Sequence, residues 1–260
     1  MSVECRALIV GGSKGLGYAA AEALAEEGCK LAVTARSVED LERARMRLLA
    51  AGASSVFVKS VDHSRKEGAE ALVPWALEVL GELDFVLLAY GNPRREPLEI
   101  HEALWDDWME AASIFLALTG TVIRDLVSLN PVKATLVMVS SFTVAEPMSP
   151  LVVSDAARAG LTRIARVAAR RYPGRLRPLV VMVGSFPTPG AMETIRRIAE
   201  ARGDDPQEVW RREVESLSPL GRAGMMGEWK WLVKTLLRAP EYLHGAVIQF
   251  DGGTGRASIP

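Results

Sequence analysis

Ala7-Leu8-Ile9-Val10-Gly11-Gly12-Ser13-Lys14-Gly15-Leu16-Gly17 opens the chain with a short apolar run broken by glycines. A continuous run of four apolar residues is the pattern of a fully buried parallel strand. The glycines that follow let the backbone turn tightly and approach an anion such as a pyrophosphate. The helix expected next would add free N–H donors and the positive end of its dipole. A glycine string alone is weak evidence, and a plain structural turn is the competing reading. Its place between a strand and a helix, inside the first βαβ unit, is the context that favours phosphate binding.

Outward from this turn, strand and helix alternate to the end of the chain. A helix over 19–27 closes on Gly28. Leu31-Ala32-Val33 is a second strand, and a charged helix over 38–50 ends at Gly52. Val56-Phe57-Val58, a helix over 69–80 ending at Gly81, and Phe85-Val86-Leu87-Leu88 follow. A long helix is expected over 102–129, stopped at Asn130-Pro131 because a residue before proline is pushed out of αR space. Next come a strand at 136–139, a second long helix over 150–171 stopped at Pro173-Gly174, and a strand at 179–183. An irregular, proline-bearing stretch at 185–220, with two short helical pieces, precedes a helix over 229–237 and a strand at 246–250.

Apolar strands alternating with helices predict an α/β fold. The expected form is a Rossmann-type, doubly wound, parallel seven-stranded sheet with helices on both faces. No linker, repeat or low-complexity stretch divides 1–260, so a single domain is expected. The 185–220 segment follows the sixth strand, which makes it a candidate substrate lid over the carboxyl ends of the strands.

Charge is balanced, with 31 Lys+Arg against 32 Asp+Glu and a net charge of -1. This argues against nucleic-acid binding by bulk charge and against a polybasic membrane surface. Hydrophobic residues are 49% and charged residues 24%, as in a globular core. Apolar runs fall short of the roughly 18–20 residues of a membrane span, and the start at Met1 has no h-region. A soluble, cytoplasmic protein is the expectation. The only amide side chains are Asn92, Asn130, Gln207 and Gln249, and the basic residues are mostly Arg. That fits a protein of a thermophile; a GC-rich genome would leave the same mark. Cys5 and Cys29 lack metal-ligand spacing, so no metal site is expected; each begins an expected strand, and parallel neighbours would bring the thiols close, but buried free thiols are expected over an intracellular disulfide.

Gly11, Gly15 and Gly17 stand at the glycine positions of a G-x-x-x-G-x-G turn. The chain thereby resembles the short-chain dehydrogenase/reductase family. The likeness continues in Val61-Asp62-His63, in Gly91, in Val183-Gly184-Ser185-Phe186-Pro187-Thr188, in Ser218-Pro219-Leu220-Gly221-Arg222 and in Asp251-Gly252-Gly253. It implies cofactor contacts from Gly11, Ser13, Lys14, Gly15, Leu16, Gly17, Asp62, Gly91, Gly184, Phe186 and Thr188. Asp62 would meet the adenine and Thr188 the nicotinamide amide. The second strand ends in Thr34-Ala35-Arg36-Ser37, without the acid that would bind the ribose hydroxyls of NAD. Arg36 and Lys14 can meet a 2′-phosphate instead, so NADP(H) is favoured over NAD(H).

The resemblance implies a catalytic set of Asn, Ser, Tyr and Lys, the last two as Tyr-x-x-x-Lys. Ala156-Ala157-Arg158-Ala159-Gly160-Leu161 aligns Arg158 with the Lys and Ser154 with the Tyr. Ser141 falls at the Ser position and Phe115 at the Asn position. A Ser-x-x-x-Arg form resembles a branch labelled as 3-oxoacyl-carrier-protein reductase-like. Ser154 has a short reach and a high pKa, and loss of a general acid typically costs about 10²–10⁴-fold. Arg158 retains the charge and could orient the nicotinamide ribose. A water between Ser141 and Ser154 is one proton source; Tyr90, Asp155 and His63 are others, each with a structural alternative. Two readings follow. One is an NADP-dependent oxidoreductase of a small carbonyl/alcohol substrate with a modified proton relay. The other is a catalytically weak NADP-binding sensor or scaffold. The family pairs its two long helices across subunit interfaces, which implies a homodimer or homotetramer.

Overall fold

β1 (Arg6–Val10), β2 (Lys30–Ala35) and β3 (Ser55–Ser60) pair in parallel on one side of the sheet in the computed structural model, which describes residues 5–147 and 150–256. β4 (Phe85–Leu88), β5 (Ala134–Ser141), β6 (Leu176–Val183) and β7 (Val247–Phe250) extend the other side, giving the order β3-β2-β1-β4-β5-β6-β7. The order reverses between β1 and β4, which opens a crevice at the carboxyl edge. Residues 1–4, on which the reading of an absent leader rests, lie outside the described residues, as do 148 and 149.

The sheet is buried on both faces, so alternate residues of one strand serve two cores. Leu8, Val10, Val86, Leu88, Leu136 and Met138 face one core. Ala7, Ile9, Phe85, Leu87, Val137 and Val139 face the other. This is why these strands read as unbroken apolar runs. The first core is covered by α3 (Lys66–Leu80), by α4 (Trp105–Ala111) with α5 (Leu118–Ser128), and by α6 (Val152–Arg171). The second is covered by α1 (Gly15–Glu26), α2 (Val38–Ala50) and, later in the chain, the helix Met226–Arg238. Trp229 of that helix is fully buried, and its indole N–H donates to the Leu16 carbonyl at 2.9 Å. Truncating a side chain so placed costs about 3–5 kcal/mol.

Four expectations need correction. The long helix begins at Trp105, not 102, and a π-helical turn over Ala112–Ala117 separates α4 from α5. The Thr119 hydroxyl donates to the Phe115 carbonyl at 2.6 Å, which satisfies an acceptor inside the turn. Second, Trp105–Ser128 is long and apolar enough to cross a membrane, with mean hydropathy 1.4 in an 18-residue window. Thr, Ser and Gly interrupt its apolar runs without adding charge, so run length understated it. Half of that window is buried, with Ile114, Phe115, Leu118, Val122 and Leu126 in the core. Third, the 185–220 stretch holds a full helix, α7 (Pro189–Arg202), before the short α8 (Pro206–Trp210). Thr188 accepts from the Ala191 N–H, and Pro189 occupies the first turn. Met226–Arg238 is therefore α9.

Fourth, Cys5 and Cys29 are not free: they form a disulfide, with Cα atoms 4.6 Å apart. Arg6 is in register with Lys30, so the residues just ahead of β1 and β2 lie side by side.

Candidate active site

The glycine turn is held by the sheet itself. The N–H groups of Gly11 and Gly12 both donate to the Thr34 carbonyl, at 2.8 and 3.0 Å. Gly11 has φ +77°, and a Cβ there would stand 2.3 Å from the Ala89 carbonyl oxygen. A Cβ on Gly17 would stand 2.2 Å from the Gly11 oxygen, so the first turn of α1 packs directly on the loop. The helix starts at Gly15, inside the motif. The first-turn amides of Gly15, Leu16 and Gly17 thus have no helical acceptor and are available to an anion. Ser13 lies half-buried beside them. Across the crevice, a Cβ on Gly15 would reach Thr188 at 3.4 Å, and Gly91 faces open space. A groove lined by backbone, which side chains at these positions would narrow, fits a dinucleotide.

Two cations stand at its adenosine end. Arg36 is exposed and has no carboxylate at ion-pair distance among the described residues. Lys14 is partly committed: its Nζ lies 2.6 Å from Asp40, which Arg43 also holds. These bonds, Lys14 first, hold the Asp40 carboxyl below its usual range. Asp62 accepts from the Ser64 hydroxyl at 2.6 Å and the Ser64 N–H at 3.2 Å. Those bonds lower its pKa. One of its oxygens therefore builds the turn into α3. Gly184 is pressed against Asp251, where a Cβ would stand 2.8 Å from the Asp251 Cα. The Phe186 ring lies in the core against Phe250 and Trp229.

The catalytic positions gather where β4, β5 and α6 meet. Arg158 donates to the Ser154 hydroxyl and to the Asn92 side-chain carbonyl, both at 2.9 Å. Its guanidinium carbon lies 4.6 Å from the centre of the Phe115 ring. Burial lowers the Arg158 pKa, while Asp155, Glu96 and Tyr90 raise it. Asp155 is 3.8 Å from Arg158. Glu96 is buried and accepts from the Ser154 N–H at 2.7 Å, near the start of α6. Its second oxygen has no hydrogen-bond partner among the described residues. Arg158 is thus partly accessible, with its guanidinium held by Ser154, Asn92 and the Phe115 ring.

Ser154 is 1% exposed, donates to the Leu151 carbonyl at 3.1 Å and accepts from Arg158. Its hydroxyl thus holds the Arg158 guanidinium in place and is tied to the Leu151 carbonyl. Tyr90 pairs with Thr119 at 2.6 Å, and since Thr119 donates to Phe115, Tyr90 donates to Thr119. Burial pushes its phenol well above the ordinary range. Burial lowers the His63 pKa.

Ser141, at the carboxyl end of β5, is partly exposed. Its oxygen accepts from the Thr143 N–H at 3.3 Å and lies 2.8 Å from the Thr143 hydroxyl, which donates in turn to Asp155. Sequence reasoning missed Thr143, Glu96 and Asn92. An acid directly after the Tyr position was a visible signal for Asp155; the loop carrying Glu96 offered none.

A doubly wound parallel sheet with a glycine turn at its switch point defines a dinucleotide-binding protein. The family profile described as Enoyl-(Acyl carrier protein) reductase matches residues 10–255. The chain belongs to the short-chain dehydrogenase/reductase family.

A glucose 1-dehydrogenase of Gluconobacter oxydans is 26% identical over 95% of this chain and 91% of its own. The rhamnolipid-biosynthesis 3-oxoacyl-[acyl-carrier-protein] reductase of Pseudomonas aeruginosa is 27% identical over 95% of this chain and 94% of its own. An uncharacterised oxidoreductase of Listeria innocua is 33% identical, but the match spans 42% of this chain and 45% of that protein. The L-sorbose reductase of Gluconobacter frateurii, solved with NADPH and L-sorbose, superposes with TM-score 0.89 at 22% identity, over 99% of both chains.

Proposed function

We propose that this chain is an NADP(H)-dependent oxidoreductase acting on a small carbonyl/alcohol substrate. The observation that carries the reading is the backbone-lined groove with unneutralised Arg36 at its adenosine end and half-exposed Ser141 across the crevice. Gly11, Ser13, Lys14, Gly15, Leu16 and Gly17 would hold the diphosphate. Arg36 would hold the 2′-phosphate, with Lys14 sharing its charge with Asp40. Asp62, Gly91, Gly184 and Thr188 would border the rest. The nicotinamide supplies or accepts hydride when bound. Ser141 polarises the substrate oxygen from the end of β5. The protein's own contribution to the reaction is then orientation and a proton. Relatives named as a 3-oxoacyl reductase and a sugar dehydrogenase support this class.

The segment 185–220 is read as the substrate lid, since α7 starts at Thr188 beside the glycine turn. Exposed Trp105 and Val167 on the long helices support a homodimer or homotetramer. The protein is read as cytoplasmic, and its heat adaptation is supported by the four amides and by ion pairs tying α9 to α1: Lys230 to Glu22 and Glu26, Lys234 to Glu26 and Glu27, and Arg238 to Glu27. A buried disulfide in such a compartment is itself a mark of hyperthermophiles.

The test measures NADPH and NADH binding by fluorescence beside turnover of ketones, aldehydes and acyl thioesters. Tighter NADPH binding, lost in Arg36→Ala, with turnover of at least one carbonyl is the expected result. Binding with no turnover returns the sensor reading, and tighter NADH binding overturns the role of Arg36.

A further inference from the structure

The geometry points to a proton relay built of Ser141, Thr143 and Asp155, in place of a phenol, for the reaction proposed above, on which this inference rests. The donors and acceptors form one ordered chain. Asp155 accepts from the Thr143 hydroxyl. The Thr143 hydroxyl stands as donor toward both Ser141, 2.8 Å away, and Asp155, but it has one hydrogen; when that hydrogen goes to Asp155, the Ser141 hydroxyl must turn to donate to Thr143 for the chain to close. Ser141 then has a lone pair for a substrate hydroxyl.

Exposure gives the chain a direction. Thr143 is 1% exposed and Asp155 6%, whereas Ser141 is partly exposed at the crevice. Only Ser141 can meet substrate, and Thr143 and Asp155 act through it. The other candidates are occupied elsewhere: Ser154 donates to Leu151, and Tyr90 donates to Thr119.

The surroundings supply a place to keep a proton. Arg158, on the same helix, lies 3.8 Å from Asp155 and also feels the charge of Glu96 from the loop after β4. Two buried carboxyls thus share one guanidinium, and the N-terminal turn of α6 adds a fractional positive charge. As a carboxylate Asp155 can take up a proton passed to it, and as an acid it can return one.

The balance is one hydride and one proton. In oxidation, the alcohol proton moves to Ser141 as the Ser141 proton moves to Thr143 and the Thr143 proton to Asp155. The substrate C–H bond breaks with its electron pair, leaving as hydride to the oxidised nicotinamide, and a C=O bond forms. Reduction reverses each transfer, and Asp155 is reprotonated from water.

The experiment compares wild type, Thr143→Val, Thr143→Ser and Asp155→Asn. Readouts are kcat against pH on a carbonyl from the panel, NADPH affinity and thermal midpoint. A fourth readout is the titration of the Asp155 carboxyl by carbon NMR in the cofactor-free protein. Thr143→Val and Asp155→Asn are expected to lower kcat about 100-fold with NADPH affinity unchanged. Thr143→Ser is expected within about threefold of wild type, as a hydroxyl is restored. The Asp155 midpoint rises in Thr143→Val, because the carboxylate loses a donor. Should Asp155→Asn fail to fold, the near-isosteric Thr143→Val carries the test. An active wild type with Thr143→Val at full rate, or an unmoved Asp155 midpoint, overturns the relay alone. A wild type that binds NADPH but turns over nothing overturns the parent reading and the relay together.

Discussion

The two halves of the crevice are built on different principles. On the β1–β2 side, the site is made of backbone: amides at the start of α1, glycines with positive φ, and the Thr34 carbonyl that pins the turn. On the β4–β5–α6 side it is made of side chains: Glu96, Asp155 and Arg158 in a buried charge cluster, with Ser141 at its mouth. Backbone sites tolerate few sequence solutions, because only glycine permits the close approaches at Gly11 and Gly17. Side-chain sites can be rebuilt from other residues, provided charges and hydrogen bonds still close.

The comparison breaks most severely if the second half carries no buried charge that matters. Arg158→Met removes the one cation between Glu96 and Asp155 and should cost about 3–5 kcal/mol, read by urea unfolding. A loss below 1 kcal/mol would mean that the charge cluster does not hold this half of the crevice together. Gly11→Ala tests the first half: a Cβ 2.3 Å from the Ala89 oxygen, at φ +77°, should cost about 2–4 kcal/mol and abolish NADPH binding. Normal NADPH titration in that variant would refute a backbone-lined site.

A smaller effect separates the two serines. Ser154→Ala should lose about 1 kcal/mol with turnover within tenfold, since Ser154 only steadies Arg158. Ser141→Ala should keep its stability and lose about 100-fold in kcat. The smallest effect is electrostatic. Burial lowers the His63 pKa, so the unfolded chain takes up a proton first as pH falls below about 6.5. Stability is therefore full above that value and declines beneath it. His63→Gln should flatten the urea midpoint between pH 7.5 and pH 5.

Several elements were legible because their signals are local. The apolar runs, Gly28 and Gly81 after their helices, and Asn130-Pro131 announced strands, caps and stops without reference to distant residues. The π-helical turn was not legible, since it depends on how Phe115 and Thr119 pack under Tyr90. The closeness of Cys5 and Cys29 was legible as a possibility of parallel strands, but their bond needed the actual register of β1 with β2. Aligning Ser154 with a phenol position could not tell what its hydroxyl bonds to. Its burial and its two hydrogen-bond partners come from the chain turn at Leu151 and from Arg158 one helical turn later.

By itself, the sequence determined the layered α/β architecture, the glycine turn and the cation at the end of β2. Periodicity and glycine sterics act over a few residues, so they survive in a one-dimensional reading. The tertiary structure alone decided which acids face Arg158, which hydroxyls are spent on backbone carbonyls, and that Ser141, Thr143 and Asp155 stand in line. Those relations join residues from four segments, and hydrogen-bond direction exists only once the segments have packed.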